Sequence, residues 1–419
     1  MGSFLGRLKP IADRIVYHSF CFALKVAQTP RVLRDATPAF SSDEIVRPAD
    51  GDVYAIVLKY AGFTLGDDFR DLLSTLQAQK VNIIVVVNGN ISDDARSTIK
   101  QYAHRLLVRE NIGRDFGGYR AATIHLHRQR LKPGRILYCN DSVAYIKGAA
   151  LDHLVRALCD SRHDVVGSFE NHEFEHHVGS YVFSISGNAF CNPQFQQFWE
   201  RYRPYDIRPY AIKNGEIALS RVLKRCGYSI DVVYSAERLA EALYRLDLPR
   251  LAELIRYTRP AFRLQPLETL MTRSIAARSL SEILGGREES EIPPATGTPT
   301  IAAYAARRKA ARTARTTDVA GDTVAERLAC DALVDRLMME VTQGSQIHLG
   351  FGLFHRVLDA PIIKKDLLAR AIYLEHDCTM ILERLPADTR AAIMRELVNR
   401  GRPLHVRGFR GFLLKHGLI

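Results

Sequence analysis

The chain has 419 residues, 47% of them hydrophobic and 25% charged, a length that fits two or three domains and a sizeable core. This composition excludes a mostly disordered or collagen-like chain, and seven scattered cysteines without Cys-x-x-Cys spacing argue for a reducing compartment and against a disulfide framework. The formal net charge of +12 is unusually high, and it indicates an anionic partner: nucleic acid, an anionic membrane surface or a phosphorylated substrate.

Residues 1–50 form a basic segment, with six Lys or Arg up to Arg34 and a single acid, Asp13. Apolar residues recur between them at mixed three- and four-residue spacing, which predicts a basic amphipathic helix. Such a helix either lies on an anionic membrane or caps the next domain with its apolar side, and the pattern favours the two equally. Because no apolar run approaches about 18 residues and no secretory-signal layout is present, we expect neither a membrane span nor a cleaved leader.

Residues 51–235 predict an α/β domain. Short apolar runs at 53–58 and 83–87, followed by strand patterns at 105–108 and 136–139, alternate with helical patterns. This alternation is typical of a parallel sheet covered by helices on both faces. Ligands bind at the carboxyl ends of the strands in such sheets, so the polar residues there are the first candidates for a site.

The rest of the chain predicts a helical extension at 236–285, a basic low-complexity linker at 286–322 and a C-terminal helical region at 323–419. The linker contains Pro293, Pro294 and Pro299, and it has no acid between 292 and 317. A basic linker of this kind is consistent with an anionic partner.

The sequence NIGRDFGG at 111–118 lies between the third strand and its following helix. Glycines there allow the backbone to approach a ligand, and the N–H groups of a helix N-terminus bind phosphate. Arg114 adds a bidentate donor, and Asp115 adds an acceptor for a ribose or sugar hydroxyl. A tight turn with a surface Arg–Asp pair is the alternative interpretation.

Asp141 follows the fourth strand and is a candidate ligand for a divalent cation. The neighbouring positions hold Cys139 and Asn140, so no second acid stands beside it, and a metal-free site stays open. The capping of a following helix is an equally good interpretation of this residue.

The sequence HEFEH at 172–176 matches the H-E-x-x-H motif of zinc proteases. That motif requires a continuous helix, whereas Gly167 and Gly179 and strand-like runs flank these residues. We therefore expect a chance match in a turn, from which His176 or His177 faces the substrate cleft.

The sequence at 214–226 predicts a helix that ends at Gly227 and has Glu216 in its first turn. At this place Glu216 is a candidate general base, or else a surface residue that stabilises the helix dipole.

Taken together, these motifs resemble family 2-like glycosyltransferases of the GT-A fold, and more specifically the rhamnan synthesis protein F family. The residues that carry the resemblance are ENIGRDFG at 110–117, CNDSV at 139–143, HVGSY at 177–181, FQQFW at 195–199 and PIIKKDL at 361–367. The resemblance implies a GT-A-like, Rossmann-type, mostly parallel sheet flanked by helices, with an N-terminal helical segment and a C-terminal helical region. It also implies enzymatic transfer of a sugar, rhamnose in this family, in the synthesis of bacterial polysaccharide or O-antigen.

The resemblance assigns roles to individual residues of this chain. Tyr60 and Asn88 would flank the nucleotide base, Asp141 would hold the diphosphate or its Mg²⁺ or Mn²⁺, and Glu216 would be the base of an inverting displacement. The remaining donor-site residues would be Asn111, Gly113, Arg114, Asp115, Lys364 and Lys365, and the acceptor or cleft residues would be His176, His177, Ser180 and His348.

The sequence thus predicts a glycosyltransferase on the cytoplasmic face of the membrane, bound peripherally, with a nucleotide-diphosphate sugar as donor and a lipid-linked glycan as acceptor. One alternative is a basic module without catalysis that binds nucleic acid or membrane. No strand interleaves aromatic and basic residues, so we expect no nucleic-acid partner. The zinc protease is the remaining alternative, and the least favoured.

Overall fold

The computed structural model describes residues 2–62, 65–263 and 324–401. The predicted linker at 286–322 and the end of the predicted C-terminal region, residues 402–419, lie outside the described residues. The predicted extension at 236–285 is described as far as residue 263.

The strands follow the apolar runs of the sequence closely. They are β1 Ser42–Ile45, β2 Val53–Gly62, β3 Asn82–Ile91, β4 Arg105–Arg109, β5 Arg135–Asn140, β6 Val143–Tyr145, β7 Val165–Asn171, β8 His177–Val178, β9 Val182–Ser186, β10 Ile230–Tyr234 and β11 Ile362–Lys364.

The main sheet has the strand order β1-β4-β3-β2-β5-β9-β7-β10, with β8 paired to β7. The four strands β4, β3, β2 and β5 are mutually parallel, and β10 is parallel to β7. The strands β1, β8 and β9 pair antiparallel to their neighbours. The predicted α/β fold with a mostly parallel sheet flanked by helices is therefore confirmed.

Helices surround this sheet. They are α1 Gly2–Arg34, α2 Asp67–Ala78, α3 Asp93–Lys100, α4 Arg114–Arg128, α5 Ala149–Cys159, α6 Gly187–Phe190, α7 Pro193–Arg201, α8 Arg208–Tyr210, a π-helical turn Ala211–Ile217, α9 Ala218–Arg225, α10 Ala236–Tyr244, α11 Leu248–Leu254, a 3₁₀ turn Ile255–Tyr257, α12 Pro260–Arg263, α13 Val324–Thr342, α14 Gln346–Leu349, α15 Phe351–Leu358, α16 Glu375–Ile381 and α17 Ala387–Asn399.

The central strands are buried on both faces, which explains their nearly continuous apolar sequence. In β2, Val57 belongs to one buried cluster with Leu73 of α2, while Ile56 belongs to the opposite cluster with Trp199 of α7. Burial of each such side chain stabilises the fold by about 1.5–3 kcal/mol. The helical cover on both faces fixes the sheet and so fixes the loops at its carboxyl edge.

The described part of the C-terminal region shares the core of the α/β domain. Val334 of α13 and Phe354 of α15 lie in the same buried cluster as Val57. Strand β11 pairs with β6 in a two-stranded antiparallel sheet. The described C-terminal helices thus cover one face of the sheet and share its core.

The N-terminal segment is also joined to this domain. Strand β1 lies within residues 1–50, where the sequence predicts a helical segment, and it pairs with β4 as an edge strand with alternating burial. Val32 of α1 packs with Tyr205 and Ile207 in a small buried cluster. Within the described residues, no helix is both long and apolar enough to cross a membrane.

Candidate functional site

The first part of the site lies where β2 and β5 end side by side. Asp141 accepts a hydrogen bond from the Lys59 ammonium at 2.8 Å and another from the backbone N–H of Tyr60 at 3.0 Å. The Tyr60 side chain is 52% exposed, so its ring is open to a ligand at this edge. Asp141 is followed by strand β6 and not by a helix, so the helix-cap interpretation of this residue is wrong.

The glycine-rich segment forms the N-terminus of α4, beside these strand ends. The helix begins at Arg114, within the segment 111–118 that the sequence places before it. Gly113 and Arg114 have positive φ angles of 78° and 54°, so two consecutive residues adopt the left-handed conformation that glycine tolerates best. A Cβ atom on Gly113 would lie 2.2 Å from the Pro204 side chain, which explains why glycine occupies this turn.

Asp115 lies in the first turn of α4 and points at the end of β5. Its carboxylate accepts a hydrogen bond of 3.0 Å from the Asn140 side chain. Burial, together with the negative charge of Asp141, raises the pKa of Asp115 to about 6, although Lys364 and Arg114 oppose the shift. The structure thus supplies close to Asp141 the second acid that the strand end itself lacks.

Two predicted donor-site residues support the loop from within. Asn88 is buried, accepts a hydrogen bond from Arg109 at 3.2 Å, and donates one to the Arg114 carbonyl at 3.2 Å. The Asn111 carbonyl accepts a hydrogen bond from Arg31 of α1 at 2.6 Å. These contacts place Asn88 and Asn111 behind the loop, where they hold its conformation.

The C-terminal residues enter the site through the pairing of β11 with β6. Lys364 donates to the Ser142 hydroxyl at 2.9 Å, and its ammonium lies 4.4 Å from the centre of the Tyr181 ring. Burial lowers the pKa of Lys364, although the charges of Asp366, Glu216 and Asp115 oppose the shift. Lys364 therefore lies within electrostatic range of two predicted site carboxylates from different parts of the chain.

Lys365 points in a different direction. Its ammonium lies 2.8 Å from the carboxylates of both Asp68 and Glu396. These two ion pairs hold the pKa of Lys365 above its usual value, against the effect of burial. The two acids thus occupy Lys365, and the structure separates it from its neighbour Lys364.

Glu216 lies in the π-helical turn that precedes α9. The sequence predicts an ordinary α-helix here, but π-helical turns of this kind are frequent at functional sites. The Ser180 hydroxyl donates to one Glu216 carboxylate oxygen, and His177 Nε2 lies 3.8 Å from the other. Glu216 is thus held by two residues predicted to line the cleft.

The HEFEH segment is a turn between β7 and β8, so the helix that zinc proteases require is absent here. The protease alternative is therefore wrong. His176 does not face the same cleft as His177, because its Nε2 atom contacts Glu170 of β7 at 2.9 Å.

His348 lies in α14, next to the C-terminal part of the site. Its ring nitrogens contact the Ser345 hydroxyl at 2.8 Å and Asp366 at 2.9 Å. Burial lowers the pKa of His348 to about 4, although Asp366 opposes the shift, so the ring is neutral at pH 7. Arg370 also contacts His348 at 3.2 Å, which places a cation at this border of the cleft.

The donor set at Asp115 and Asp141 fits a divalent cation. Mg²⁺ and Mn²⁺ prefer carboxylate oxygens, and a cation would relieve the mutual repulsion of these two acids. Lys59 already neutralises part of the charge on Asp141. Both residues are therefore suitable ligands for the metal that the resemblance implies.

Lys59 belongs to the polar residues at strand ends that the sequence predicts as first candidates, since it is a charge at the end of an apolar strand. Three further residues at the site have no role predicted from the sequence: Tyr181, Asp366 and Arg208, which lies 4.0 Å from Asp366. Tyr181 and Asp366 lie in the HVGSY and PIIKKDL segments, but their places at the site depend on pairings between distant parts of the chain.

No protein-family model matches this chain. Over 215 residues, or 50% of its length, the chain is 27% identical to the uncharacterized protein y4gN of Sinorhizobium fredii (strain NBRC 101917 / NGR234), and the match covers 56% of that protein.

The solved structures that match this chain include the following two. One, from Desulfovibrio desulfuricans G20, is proposed to be a nucleotide-diphospho-sugar transferase; the match has a TM-score of 0.27 and 10% identity and covers 44% of this chain and 81% of that one. The other is the mannosyltransferase PcManGT from Pyrobaculum calidifontis in complex with GDP-Man and Mn²⁺. This match also has a TM-score of 0.27 and 10% identity, and it covers 79% of this chain and 98% of that one. A similarity of this size supports no conclusion about the function of this chain.

Proposed function

We propose that this protein is a glycosyltransferase that moves a sugar from a nucleotide-diphosphate sugar to an acceptor hydroxyl. The observation that carries the proposal is the convergence around Lys364. This cation interacts electrostatically with Asp115 at the carboxyl edge of the sheet and with Glu216 in the π-helical turn. A cation in this position can neutralise the negative charge that develops on a diphosphate leaving group.

The donor would bind along the edge formed by β2, α4 and β5. The exposed Tyr60 ring can stack on the nucleotide base, and Arg114 and the N–H groups of the α4 N-terminus can bind the diphosphate. Asp115 would accept a hydrogen bond from a ribose or sugar hydroxyl. Asn88 would act indirectly, because its buried hydrogen bonds fix the loop that carries Arg114.

A divalent cation would bind at Asp115 and Asp141. When bound, it would neutralise negative charge on the diphosphate leaving group. Lys364 supplies charge for the same purpose, and Lys59 orients the Asp141 carboxylate.

Glu216 would act as the base. Its carboxylate would take the proton of the acceptor hydroxyl, whose oxygen forms a bond to the anomeric carbon of the sugar while the bond to the diphosphate breaks. The diphosphate leaves with the electron pair of that bond. The Ser180 hydroxyl fixes the orientation of Glu216, and the buried His177 ring lies 3.8 Å from the other carboxylate oxygen of Glu216.

A single displacement of this kind inverts the anomeric centre. The resemblance of the sequence to the rhamnan synthesis protein F family supports rhamnose as the sugar and a lipid-linked glycan of a bacterial polysaccharide or O-antigen as the acceptor. Both assignments depend on that resemblance and are part of the proposal.

The test is a Glu216→Gln variant, with thermal-shift screening of nucleotide sugars to identify the donor. We expect transfer to fall at least 100-fold while the Kd for the donor stays unchanged, because only the proton acceptor is removed. Glu200→Gln, on the exposed surface of α7, is the matched control and should transfer at the wild-type rate. Full transfer by Glu216→Gln would refute the assignment of the base, and the absence of binding by any nucleotide sugar would refute the function.

Helix α1 supports a second part of the proposal, because it has two apolar faces. One face, with Leu24 and Val32, packs on Tyr205 and its neighbours. Four large apolar residues on the other side are 56–69% exposed: Ile15, Phe22, Val26 and Leu33. At 100° per residue these four lie within about 40° of one another, on the side of the helix opposite Leu24.

This exposed apolar face would bind an anionic membrane surface. The helix carries six Lys or Arg and one acid, so its charge complements anionic lipid headgroups. The packed face holds the helix to the catalytic domain, and the exposed face would hold the protein beside a lipid-linked acceptor at the cytoplasmic face of the membrane. The two interpretations of the N-terminal segment are then compatible, since each face accounts for one of them.

A further inference from the structure

The turn between β7 and β8 brings two histidines to one buried carboxylate. His176 Nε2 lies 2.9 Å from Glu170 Oε2, and His172 Nε2 lies 3.5 Å from Glu170 Oε1. One ligand atom of each residue lies within 4.8 Å of the other two. The cluster thus combines residues from a strand and from both ends of a turn, and it is separate from the acids at Asp115 and Asp141.

These separations fit a tetrahedral zinc site. Zinc binds imidazole nitrogen and carboxylate oxygen at about 2.0–2.2 Å, so neighbouring donor atoms are about 3.3 Å apart. Two imidazoles with one carboxylate form a set that suits zinc better than Mg²⁺, which prefers oxygen ligands alone. His172 is 37% exposed, so the cluster is open to solvent on that side for metal entry and for a water ligand.

The carboxylate is oriented before any metal arrives. Glu170 Oε1 accepts hydrogen bonds from the backbone N–H of Ala236 at 3.0 Å and from the Gln346 side chain at 3.4 Å. Contacts of this kind orient metal ligands and strengthen metal binding. The backbone of the turn is also fixed, since Asn171 pairs with His177 and Glu170 pairs with Val178.

We propose that Glu170, His172 and His176 form a zinc site at the turn between β7 and β8. Bound zinc would fix this turn, which leads directly into His177, whose ring lies beside Glu216. The site differs from that of a zinc protease, because the carboxylate is Glu170 and not Glu173 of the H-E-x-x-H motif.

The experiment is calorimetric titration of the metal-free full chain with Zn²⁺, compared with Mg²⁺ and Mn²⁺. We expect one zinc per chain at micromolar Kd or tighter, and a higher Tm when zinc is bound. The His172→Ala and Glu170→Gln variants should weaken zinc binding at least tenfold, while Glu173→Gln and Asp141→Asn should bind zinc as the wild type does. Co²⁺ bound at the same site should give the visible absorption of a tetrahedral complex.

Several outcomes would overturn the proposal. Absence of saturable zinc binding would do so, as would wild-type affinity in His172→Ala, which changes a partly exposed side chain and leaves the core intact. Loss of zinc binding in Asp141→Asn would place the metal at the other acids. Because binding is measured without nucleotide sugar, failure of the transferase proposal would leave this result unchanged.

Discussion

Asp115 allows a quantitative test of the site. Its pKa of about 6 lies above the value of 3.8 that applies in the unfolded chain, because the carboxylate is buried near Asp141. The folded state therefore holds more protons between these values, so the stabilisation due to Asp115 is complete below pH 4 and is lost as the pH rises through 6. At neutral pH the ionised Asp115 destabilises the protein.

The expected magnitude follows from the shift. A rise of about two pKa units corresponds to about 3 kcal/mol of destabilisation at pH 8, and this is an upper limit because Asp115 is half-buried and solvent screens part of its charge. Lowering the pH to 5 should recover about 1.4 kcal/mol of that loss in the wild type. An Asp115→Asn variant keeps an oxygen for the Asn140 hydrogen bond and has no charge, so it should be more stable than wild type at pH 8.

The measurement is urea unfolding of wild type and Asp115→Asn at pH 5 and pH 8. We expect the stability advantage of the variant to shrink by about 1.4 kcal/mol at the lower pH. Asp388→Asn is the matched control, because Asp388 is an exposed acid in the first turn of α17 and should give the same difference from wild type at both pH values. A variant less stable than wild type at pH 8, or a pH-independent advantage, would refute the reasoning.

The variant also connects stability to function. If Asp115 and Asp141 hold a divalent cation, Mn²⁺ should raise the Tm of the wild type and leave that of Asp115→Asn unchanged. Transfer activity should fall in the same variant. Gain of stability with loss of activity is the behaviour expected of a strained functional group.

Two further predictions concern the loop and the N-terminal helix. Gly113→Ala should lower the free energy of unfolding in urea by about 3 kcal/mol, because it combines a φ of 78° with a clash against Pro204. Gly51→Ala, at φ 79° but with open space around the new Cβ atom, should lower it by about 1 kcal/mol. Equal losses in the two variants would contradict the structure of the loop. Phe22→Asp should weaken binding to vesicles containing phosphatidylglycerol about tenfold. The control Phe174→Asp changes a 72% exposed phenylalanine outside α1 and should bind these vesicles as the wild type does. Equal binding by both variants would exclude the exposed face of α1 as the surface that contacts the membrane.

The strands and their ends could be predicted from the sequence because they depend on local patterns. An apolar run such as 83–87 identifies a strand buried on both faces wherever it lies in the chain. The polar residue after such a run then lies at the carboxyl edge, as Asp141 does. The start of α4 at Arg114 could not be predicted in this way, because two consecutive residues with positive φ give no local signal.

The contacts that complete the site could not be predicted in this way. Lys364 meets Ser142 across 222 residues of sequence, through the pairing of β11 with β6. Lys364 and Lys365 are equivalent in sequence, but β11 ends at Lys364 and the two side chains have different partners. Lys364 contacts Ser142, whereas Lys365 forms ion pairs with Asp68 and Glu396. Similarly, HEFEH matches a protease motif, and only the turn geometry directs both histidines to Glu170.

The sequence by itself determined the α/β class, the positions of the main strands and the first candidates at their ends. A strand buried on both faces is a short continuous apolar run, which can be recognised without knowing the rest of the fold. The tertiary structure alone decided which charges meet: Asp115 with Asp141, Lys364 with Glu216, and Lys365 with Asp68. It also gave α1 a packed face and an exposed one. Charge interactions depend on distance in space, and the distance between residues far apart in sequence is set only when strands and helices pack.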